Sequence, residues 1–256
     1  MRNKLLMLLA LLGLLACVPN FAQANAKDEK VMKSFEKELR ALQQAFFASD
    51  DLEKRIEVQK QMQQLFTTTL KQLSDETRPV MEVSVKVVLP LQQQAAEFMD
   101  LAAKFSSSGQ GDPATIKERG DIAPRIATLE ELERRNAALL AEISTMNERL
   151  GHALDAGKIT GKQRAGFLAG FNETTGRSLG PMKAIRTLDG QIFAEMKRLY
   201  RLLDEHWGKW KYEDEDFVWQ DSEAEKACLE IQTSLGTLLE RESAAEAELS
   251  KRTQVP

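Results

Sequence analysis

Two runs of residues with alternating spacings of three and four constrain the fold of this 256-residue chain most strongly. The first seam consists of Leu129, Leu132, Asn136, Leu139, Ile143, Met146 and Leu150. The second seam consists of Cys228, Ile231, Leu235, Leu238, Glu242, Ala245 and Leu249. This spacing places each run on one face of an α-helix and is typical of helices that pack side by side at a shallow angle. The two seams therefore predict an all-α fold, an elongated helical bundle with antiparallel coiled-coil-like packing.

Each seam contains one polar residue, and Cys228 begins the second seam. A polar side chain at an inner position costs stability but fixes the register or number of the packed helices, which is the role we expect of Asn136. We expect Glu242 to mark the point where the last helix leaves the core. Cys228 is interpreted as a small buried hydrophobic residue rather than a reactive thiol.

A Ser/Gly-rich segment, 106–112, is the one stretch with the composition of a linker. It separates an N-terminal helical region, 25–105, from a C-terminal helical region, 113–256. The length of the chain is between the usual sizes for one and two domains. Two domains and two halves of one bundle are both open interpretations, and we favour a single bundle of six or seven helices.

Caps and apolar stripes predict the helices of the N-terminal region. Asn25 is suited to cap a first helix, and Asp50 begins a capping-box pattern for a second. Pro79 is expected to open a third helix that Pro90 kinks. The alternating valines in 80–89 are also typical of a strand. We favour a helix there, because an isolated strand would leave its backbone groups unpaired.

In the C-terminal region, the first seam predicts a long helix over 122–156. Gly157 is expected to supply a left-handed C-terminal cap, and Thr160 to begin the capping box of the next helix. A further helix is predicted from Pro181 to about residue 210. Ser222 is expected to cap the last helix, which carries the second seam.

The first 24 residues have the layout of a cleaved secretory signal peptide. Arg2 and Lys4 precede an apolar run that is shorter than the about 20 residues a membrane-spanning helix needs. Ala22 and Ala24 provide the small side chains that a leader peptidase accepts. We therefore expect export, with cleavage after Ala24.

The sequence Leu14-Leu15-Ala16-Cys17 resembles a bacterial lipobox, although Leu15 is a less usual residue two places before the cysteine. The resemblance implies an alternative lipoprotein signal, 1–16, and acylation of Cys17. Either signal predicts an exported bacterial protein, free in the periplasm or on the periplasmic face of a membrane. Either also leaves Cys228 without an intramolecular disulfide partner.

The expected mature chain is mildly acidic. The leader contains two of the 35 basic residues and none of the 39 acidic ones, so the formal charge becomes about −6. Without a basic patch, the chain has little electrostatic attraction for phosphate backbones or anionic membrane surfaces. We expect no nucleic-acid partner, and membrane association only through a lipid anchor. The sequence leaves the oligomeric state open.

The residues of common catalytic and metal sites are scarce. Only His152 and His206 are available; Glu148 and His152 share a helix face, but this two-ligand fragment lacks a third ligand, and a surface ion pair explains the spacing better than a metal site does. His206 is expected to be a hydrogen-bonded histidine at the edge of the core. The sequence contains no nucleophile elbow and no Gly-rich phosphate loop. We therefore predict no catalytic, cofactor-binding or metal-ligating residues, and a protein that is not an enzyme.

The most unusual local feature is an aromatic segment, 200–219, which holds all three Trp and both Tyr around the acidic run 213–216. Trp and Tyr anchor interfaces, and acidic residues steer basic partners. The predicted partner-binding residues are Trp207, Trp210, Tyr212, Phe217 and Trp219. Alternatively, the rings fold back to close the end of a bundle and the acidic run is a solvated turn. A calcium loop is disfavoured, because the run lacks the glycine and alternating ligands of an EF-hand.

One short segment supports a second class of function. Residues 159–164, Ile-Thr-Gly-Lys-Gln-Arg, resemble the Leu-Thr-x-x-Gln motif of small helical periplasmic stress chaperones, departing from it at Ile159. The resemblance covers six residues, which a capping box also explains. The main expectation is a structural or protein-interaction role in the cell envelope. The alternatives are a periplasmic chaperone or stress adaptor and, third, an enzyme with dispersed carboxylates.

Overall fold

The computed structural model describes residues 25–49, 52–214 and 216–253. α-Helices dominate these residues, and the strands within them form one short antiparallel hairpin. The helices are α1 Ala26–Ala48, α2 Leu52–Gln72, α3 Arg78–Ser107, α4 Ile122–Ser144, α5 Met146–Ala156, α6 Gly161–Phe171, α7 Arg177–Glu205 and α8 Ser222–Thr253. The strands are β1 Trp210–Glu213 and β2 Asp216–Trp219. The predicted all-α fold with bundle-like helix packing is confirmed.

The described residues contain eight α-helices rather than six or seven. One reason is that the predicted helix over 122–156 is interrupted at Thr145, which has φ −96° and ψ 5°. The Thr145 hydroxyl donates a hydrogen bond to the carbonyl of Ala141 at 3.0 Å, an arrangement that bends helices. The interruption separates α4 from α5.

The structure confirms the predicted cap of the first helix and the predicted start of the third. Asn25 caps α1, and its side-chain oxygen accepts from the amide of Asp28 at 2.9 Å. Residues 80–89 are helical, with Pro79 in the first turn of α3 and Pro90 inside the helix. The capping pattern expected at Asp50, the signal at 1–24 and the lipidation site Cys17 lie outside the described residues.

The cap of the last helix is Asp221 rather than Ser222. The Asp221 carboxylate accepts from the amides of Glu223 at 3.0 Å and Ala224 at 3.4 Å. These are two of the amides at the start of α8 that have no carbonyl partner within the helix. The prediction was therefore wrong by one residue, since both residue types are common at this position.

The connection between α5 and α6 differs from the prediction at two residues. Gly157 has φ −76°, and the left-handed residue is Lys158 with φ 55°. Glycine is favoured at 157 by space, because a Cβ there would be crowded, 3.3 Å from both the Ala153 carbonyl oxygen and a Val83 methyl. Thr160 precedes α6 but makes no side-chain capping bond, since Gly161 has φ +57° and does not start a regular right-handed turn.

The chain forms two compact units. Among the described residues, the first unit comprises 97–140 and 183–248, and the second comprises 25–96, 141–182 and 249–253. Helices α3, α4, α7 and α8 each contribute residues to both units. The Ser/Gly-rich segment 106–112 lies inside the first unit.

Both seams are buried, as predicted. Every residue of the first seam is at most 2% exposed, and in the second seam all but the half-buried Ala245 are buried. Glu242 is 7% exposed and belongs to the core, so the expectation that the helix leaves the core there was wrong. The physical reason is a hydrogen bond between the Glu242 and Asp189 side chains, which provides Glu242 with a polar partner inside the protein.

In the first unit, Arg125 of α4 organises the segment 106–112. Its guanidinium is buried and donates hydrogen bonds to several loop acceptors, the carbonyls of Gly109, Gln110 and Asp112 and the hydroxyl of Thr115. The Tyr200 hydroxyl donates to the Gln110 carbonyl at 2.6 Å. The Ser/Gly-rich segment therefore forms a loop whose carbonyl groups accept hydrogen bonds from side chains of the same unit.

In the second unit, α1 packs against α2. The rings of Phe35 and Phe66 meet edge to face, with centroids 5.0 Å apart. The buried carboxylate of Asp28 accepts hydrogen bonds from the amide and the hydroxyl of Ser74, in the turn between α2 and α3. Gln59 of α2 donates to the Gln92 carbonyl of α3 at 2.9 Å. These contacts join the first three helices of the chain.

Candidate functional site

The aromatic segment forms a β-hairpin, which we call the aromatic hairpin and define as residues 210–219. The expected helix to about residue 210 instead ends at Glu205, and the chain turns through Gly208, which has φ +82°. Strands β1 and β2 pair with Trp210 opposite Trp219 and Tyr212 opposite Phe217. Asp214, in the two-residue connection, has φ 51°, as the tight turns of hairpins require.

The hairpin brings the five predicted partner-binding residues together. Alternate residues of a strand share a face, so the four aromatic residues of the two strands lie on one side of the hairpin. Tyr212 and Phe217 have ring centroids 5.0 Å apart, and Trp210 and Phe217 have centroids 5.6 Å apart. Trp207 joins them from the preceding turn, with its ring edge-to-face on Trp210 at 5.5 Å.

Three of these rings are held mainly by contacts within the protein. The Trp210 indole N–H donates to the Leu203 carbonyl of α7 at 2.8 Å, which satisfies an acceptor near the end of that helix. Phe217 is 7% exposed, beneath the other rings. Trp219 hydrogen-bonds to the buried Cys228 of α8. This inner side of the cluster therefore closes the end of α7 against α8.

The outer side of the hairpin is accessible. The Trp207 side chain is 36% exposed, and Val218, on the face opposite the rings, is 52% exposed. Glu213, Asp214 and Asp216 are exposed at the turn. The sequence analysis did not single out Val218; its place between two inward-facing aromatic residues is the signal that indicates an outward side chain. The surface thus combines apolar groups with an acidic tip.

A second cluster lies in the core of the first unit, and we call it the polar layer. It consists of Asn136 of α4, Arg186 and Asp189 of α7, and Glu242 and Glu246 of α8. The Asn136 amide donates to the Arg186 carbonyl at 2.6 Å. Arg186 Nη2 lies 2.9 Å from Asp189 Oδ2, and both side chains are 3–4% exposed. The Arg186 guanidinium also lies over the Phe98 ring of α3, 5.2 Å from its centroid.

Burial changes the protonation of the polar layer. It raises the pKa of Glu242 to about 9 and that of Glu246 to about 7. It also raises the pKa of Asp189 and lowers that of Arg186. Because Arg186 stands beside Asp189, the negative charge resides on Asp189, and Glu242 holds a proton that it donates to Asp189. Near neutral pH, the buried centre is therefore an ion pair with a neutral carboxylic acid.

Asn136 and Glu242 were predicted as polar seam residues, whereas Arg186 and Asp189, with which they interact, were not predicted from the sequence. Arg186 and Asp189 are three residues apart, and each follows an apolar residue of the α7 stripe, Ile185 and Leu188. That position is a weak signal, because charged residues beside an apolar stripe usually face solvent. Only the packing of three helices places them together.

The remaining candidates match modest structural roles. His206 is half-buried, as expected, and its ring is edge-to-face with Trp219. Its Nδ1 lies 3.5 Å from Asp221 Oδ2 but makes no hydrogen bond in the described part of the chain, so the expected hydrogen bond is absent at that atom. His152 is exposed on α5. Cys228 is buried, and burial raises the pKa of its thiol to about 11, so the thiol stays protonated and unreactive at neutral pH.

Residues 25–49, 52–214 and 216–253 contain no group of three or more His, Cys, Asp and Glu side chains arranged to hold a metal ion. None of the helices in the same ranges is long and apolar enough to cross a membrane. No protein-family model, no curated protein and no solved structure matches this chain.

Proposed function

We propose that this protein is an exported component of the bacterial cell envelope with a non-enzymatic, protein-binding role, and that the aromatic hairpin, together with Trp207 of the preceding turn, binds the partner. The observation that carries the proposal is the exposed Trp207 indole, which the edge-to-face contact with Trp210 holds in place. A tryptophan that is already ordered loses little conformational entropy on binding, which is why such residues anchor interfaces.

The charges beside this anchor support a partner with a basic surface. Glu213, Asp214 and Asp216 are exposed at the tip of the hairpin, where the cation Lys211 has its Nζ 3.8 Å from Glu213 Oε1. The tip therefore carries net negative charge. Such a tip accelerates the encounter with a basic partner and makes the association rate sensitive to salt.

The cellular place of this role rests on the leader. The export signal, 1–24, and its lipobox alternative at Cys17 both direct the chain to the periplasmic side. The intact mass of the protein from periplasmic and membrane fractions distinguishes them. A chain that begins at Asn25 indicates a free periplasmic protein, an acylated chain that begins at Cys17 indicates a lipoprotein, and an unprocessed chain contradicts export.

The binding proposal is tested by chemical crosslinking in periplasmic extract, followed by affinity capture of the protein. The variant is Trp207→Ala, and the control is Leu229→Ala, which removes another exposed apolar side chain, on α8 outside the hairpin. We expect a partner that wild type and the control retain and that Trp207→Ala loses, with unchanged circular dichroism. Equal recovery with both variants contradicts the proposal. Trp210→Ala is unsuitable, because it also removes the bond to the Leu203 carbonyl.

A chaperone role makes a different prediction, and the segment 159–164 motivates testing it. A chaperone delays the aggregation of unrelated unfolded clients without a dedicated partner. Light scattering of a reduced or heated client at equimolar ratio measures this effect. Delay by wild type and by Trp207→Ala alike favours the chaperone, whereas no delay by either argues against it.

The polar layer bears on the third alternative, an enzyme with dispersed carboxylates. Raised carboxyl pKa values are a feature of catalytic acids. Asp189 and Glu242 are at most 7% exposed, however, so a substrate cannot reach them while the helices stay packed. We therefore assign these carboxyls a role within the protein rather than in catalysis.

A further inference from the structure

The two polar residues of the seams meet the same turn of α7. Asn136, from the first seam, donates to the Arg186 carbonyl at 2.6 Å. Glu242, from the second seam, forms a side-chain hydrogen bond with Asp189. Arg186 and Asp189 lie three residues apart and form an ion pair. The polar residue of each seam, Asn136 or Glu242, therefore interacts with the same turn of a third helix, α7.

The charges of this site do not balance when every carboxyl is ionised. The charged groups that act on Glu242 are Asp189 and Arg186 of α7 and Glu246 of α8 itself. The neighbouring helices α4 and α3 contribute the uncharged groups of Asn136 and Phe98. One cation therefore faces three carboxyls. Full ionisation would place two excess negative charges in the core, which is strongly unfavourable at low dielectric.

The polar layer is also incompletely bonded. Arg186 Nη1, Asn136 Oδ1 and Glu246 Oε1 are buried atoms without a hydrogen-bond partner in the described part of the chain. Unpaired polar atoms in a core raise the free energy of the packed state and reduce the cost of opening it. The junction between α7 and α8 is therefore less firmly held than an apolar seam of the same length.

We propose that the polar layer is a proton-operated latch between α7 and α8 in the first unit, closed while Glu242 and Glu246 carry protons and opened when they ionise. In the closed state, protonated Glu242 donates to the Asp189 carboxylate. Loss of that proton replaces the hydrogen bond with repulsion between two carboxylates. Opening separates the part of α8 around Glu242 from α7 and exposes neighbouring residues of the second seam.

The direction of the pH dependence follows from the raised pKa values. Above the ordinary glutamate pKa of 4.5, the open state binds fewer protons at these sites than the closed state, so the latch weakens as pH rises. For each proton held only in the closed state, the opening constant increases about tenfold per pH unit. Both glutamates contribute to this pH dependence of the opening constant up to about pH 7. Between about pH 7 and 9, Glu242 alone contributes to it.

The test is amide hydrogen exchange of the full chain at pH 5, 6, 7, 8 and 9, corrected for the intrinsic exchange rate at each pH. We expect protection in α8 around 238–246 to fall about tenfold per unit between pH 7 and 9. Protection in α1 and α2, which belong to the other unit, should stay constant. Protection in 238–246 that is independent of pH, or that falls equally in all helices, would overturn the proposal.

Two variants test which side chains operate the latch. Glu242→Gln keeps the shape of the side chain and a donor for Asp189, so the slope between pH 7 and 9 should disappear. Glu246→Gln, at a half-buried position, should leave that slope intact and reduce the slope between pH 5 and 7. If Glu242→Gln does not fold, the Glu246→Gln result still decides. A wild-type slope in either variant, over the range assigned to its side chain, contradicts the latch.

Discussion

Replacement of Arg125 by lysine should destabilise the protein and release the loop at 106–112. The arginine is 5% exposed and donates from three different nitrogen atoms. Nε binds the carbonyl of Asp121 at 3.1 Å, Nη1 binds the loop carbonyls, and Nη2 binds the Thr115 hydroxyl at 2.8 Å. A lysine keeps the positive charge but has a single nitrogen, which cannot reach all three positions.

The expected loss follows from this geometry. If the ammonium group stays with the loop carbonyls, the bonds to Asp121 and Thr115 are lost. A hydrogen bond from a charged group contributes about 1.5–3 kcal/mol, so two of them correspond to about 3 kcal/mol at the lower bound. The contact of the guanidinium with the Tyr200 ring, 5.7 Å from its centroid, is weakened as well.

Urea denaturation followed by circular dichroism measures the stability, and brief digestion with a protease of broad specificity, mapped by mass spectrometry, measures access to the loop. The control is Arg134→Lys, which makes the same exchange on the same helix at an exposed ion pair and should leave the free energy of unfolding nearly unchanged. A stability change below about 1 kcal/mol for Arg125→Lys, with no faster cleavage at 106–112, would refute the reasoning about the guanidinium.

Three further substitutions probe the core, a buried carboxylate and a helical glycine. Leu132→Ala, at a fully buried seam position, should lower the free energy of unfolding by about 2–5 kcal/mol in urea denaturation, and a loss under 1 kcal/mol would contradict its place in the core. Burial alone would raise the pKa of Asp28, but hydrogen bonds from Ser74 and Thr77 lower it. The Asp28 carboxylate therefore stabilises the folded protein above pH 3.8, its ordinary pKa, and this stabilisation is lost as pH falls through its lowered pKa in the folded protein. Asp28→Ala should cost about 1–3 kcal/mol at pH 7, and the difference from wild type should shrink below pH 4; a constant difference would contradict the assignment. Gly236→Ala, where a Cβ meets no atom within 4 Å, should raise the melting temperature through about 0.5–1 kcal/mol of helix propensity, and a lower melting temperature would indicate a missed contact.

The amino-acid sequence alone determined the helical class and the inner face of the two seam helices. Every residue of the first seam is buried, from Leu129 to Leu150, even across the interruption at Thr145. The reason is that the period of an α-helix is local, so residues three and four apart share a face whatever the rest of the chain does. The cap at Asn25 followed from equally local chemistry. The helix over 80–89 did not, because the local alternation of valines is typical of a strand and only the lack of a partner strand favoured a helix.

Contacts between distant segments were decided only by the tertiary structure. Each strand of the hairpin is four residues long, which is too short for its alternation to stand out beside a long helix. Glycine is favoured at 157 because a Cβ there would lie 3.3 Å from a methyl of Val83, which is far away in sequence. Glu242 stays in the core because its side chain is hydrogen-bonded to Asp189 of another helix. The spacing of residues within one helix carries no information about which side chain of a neighbouring helix will face it.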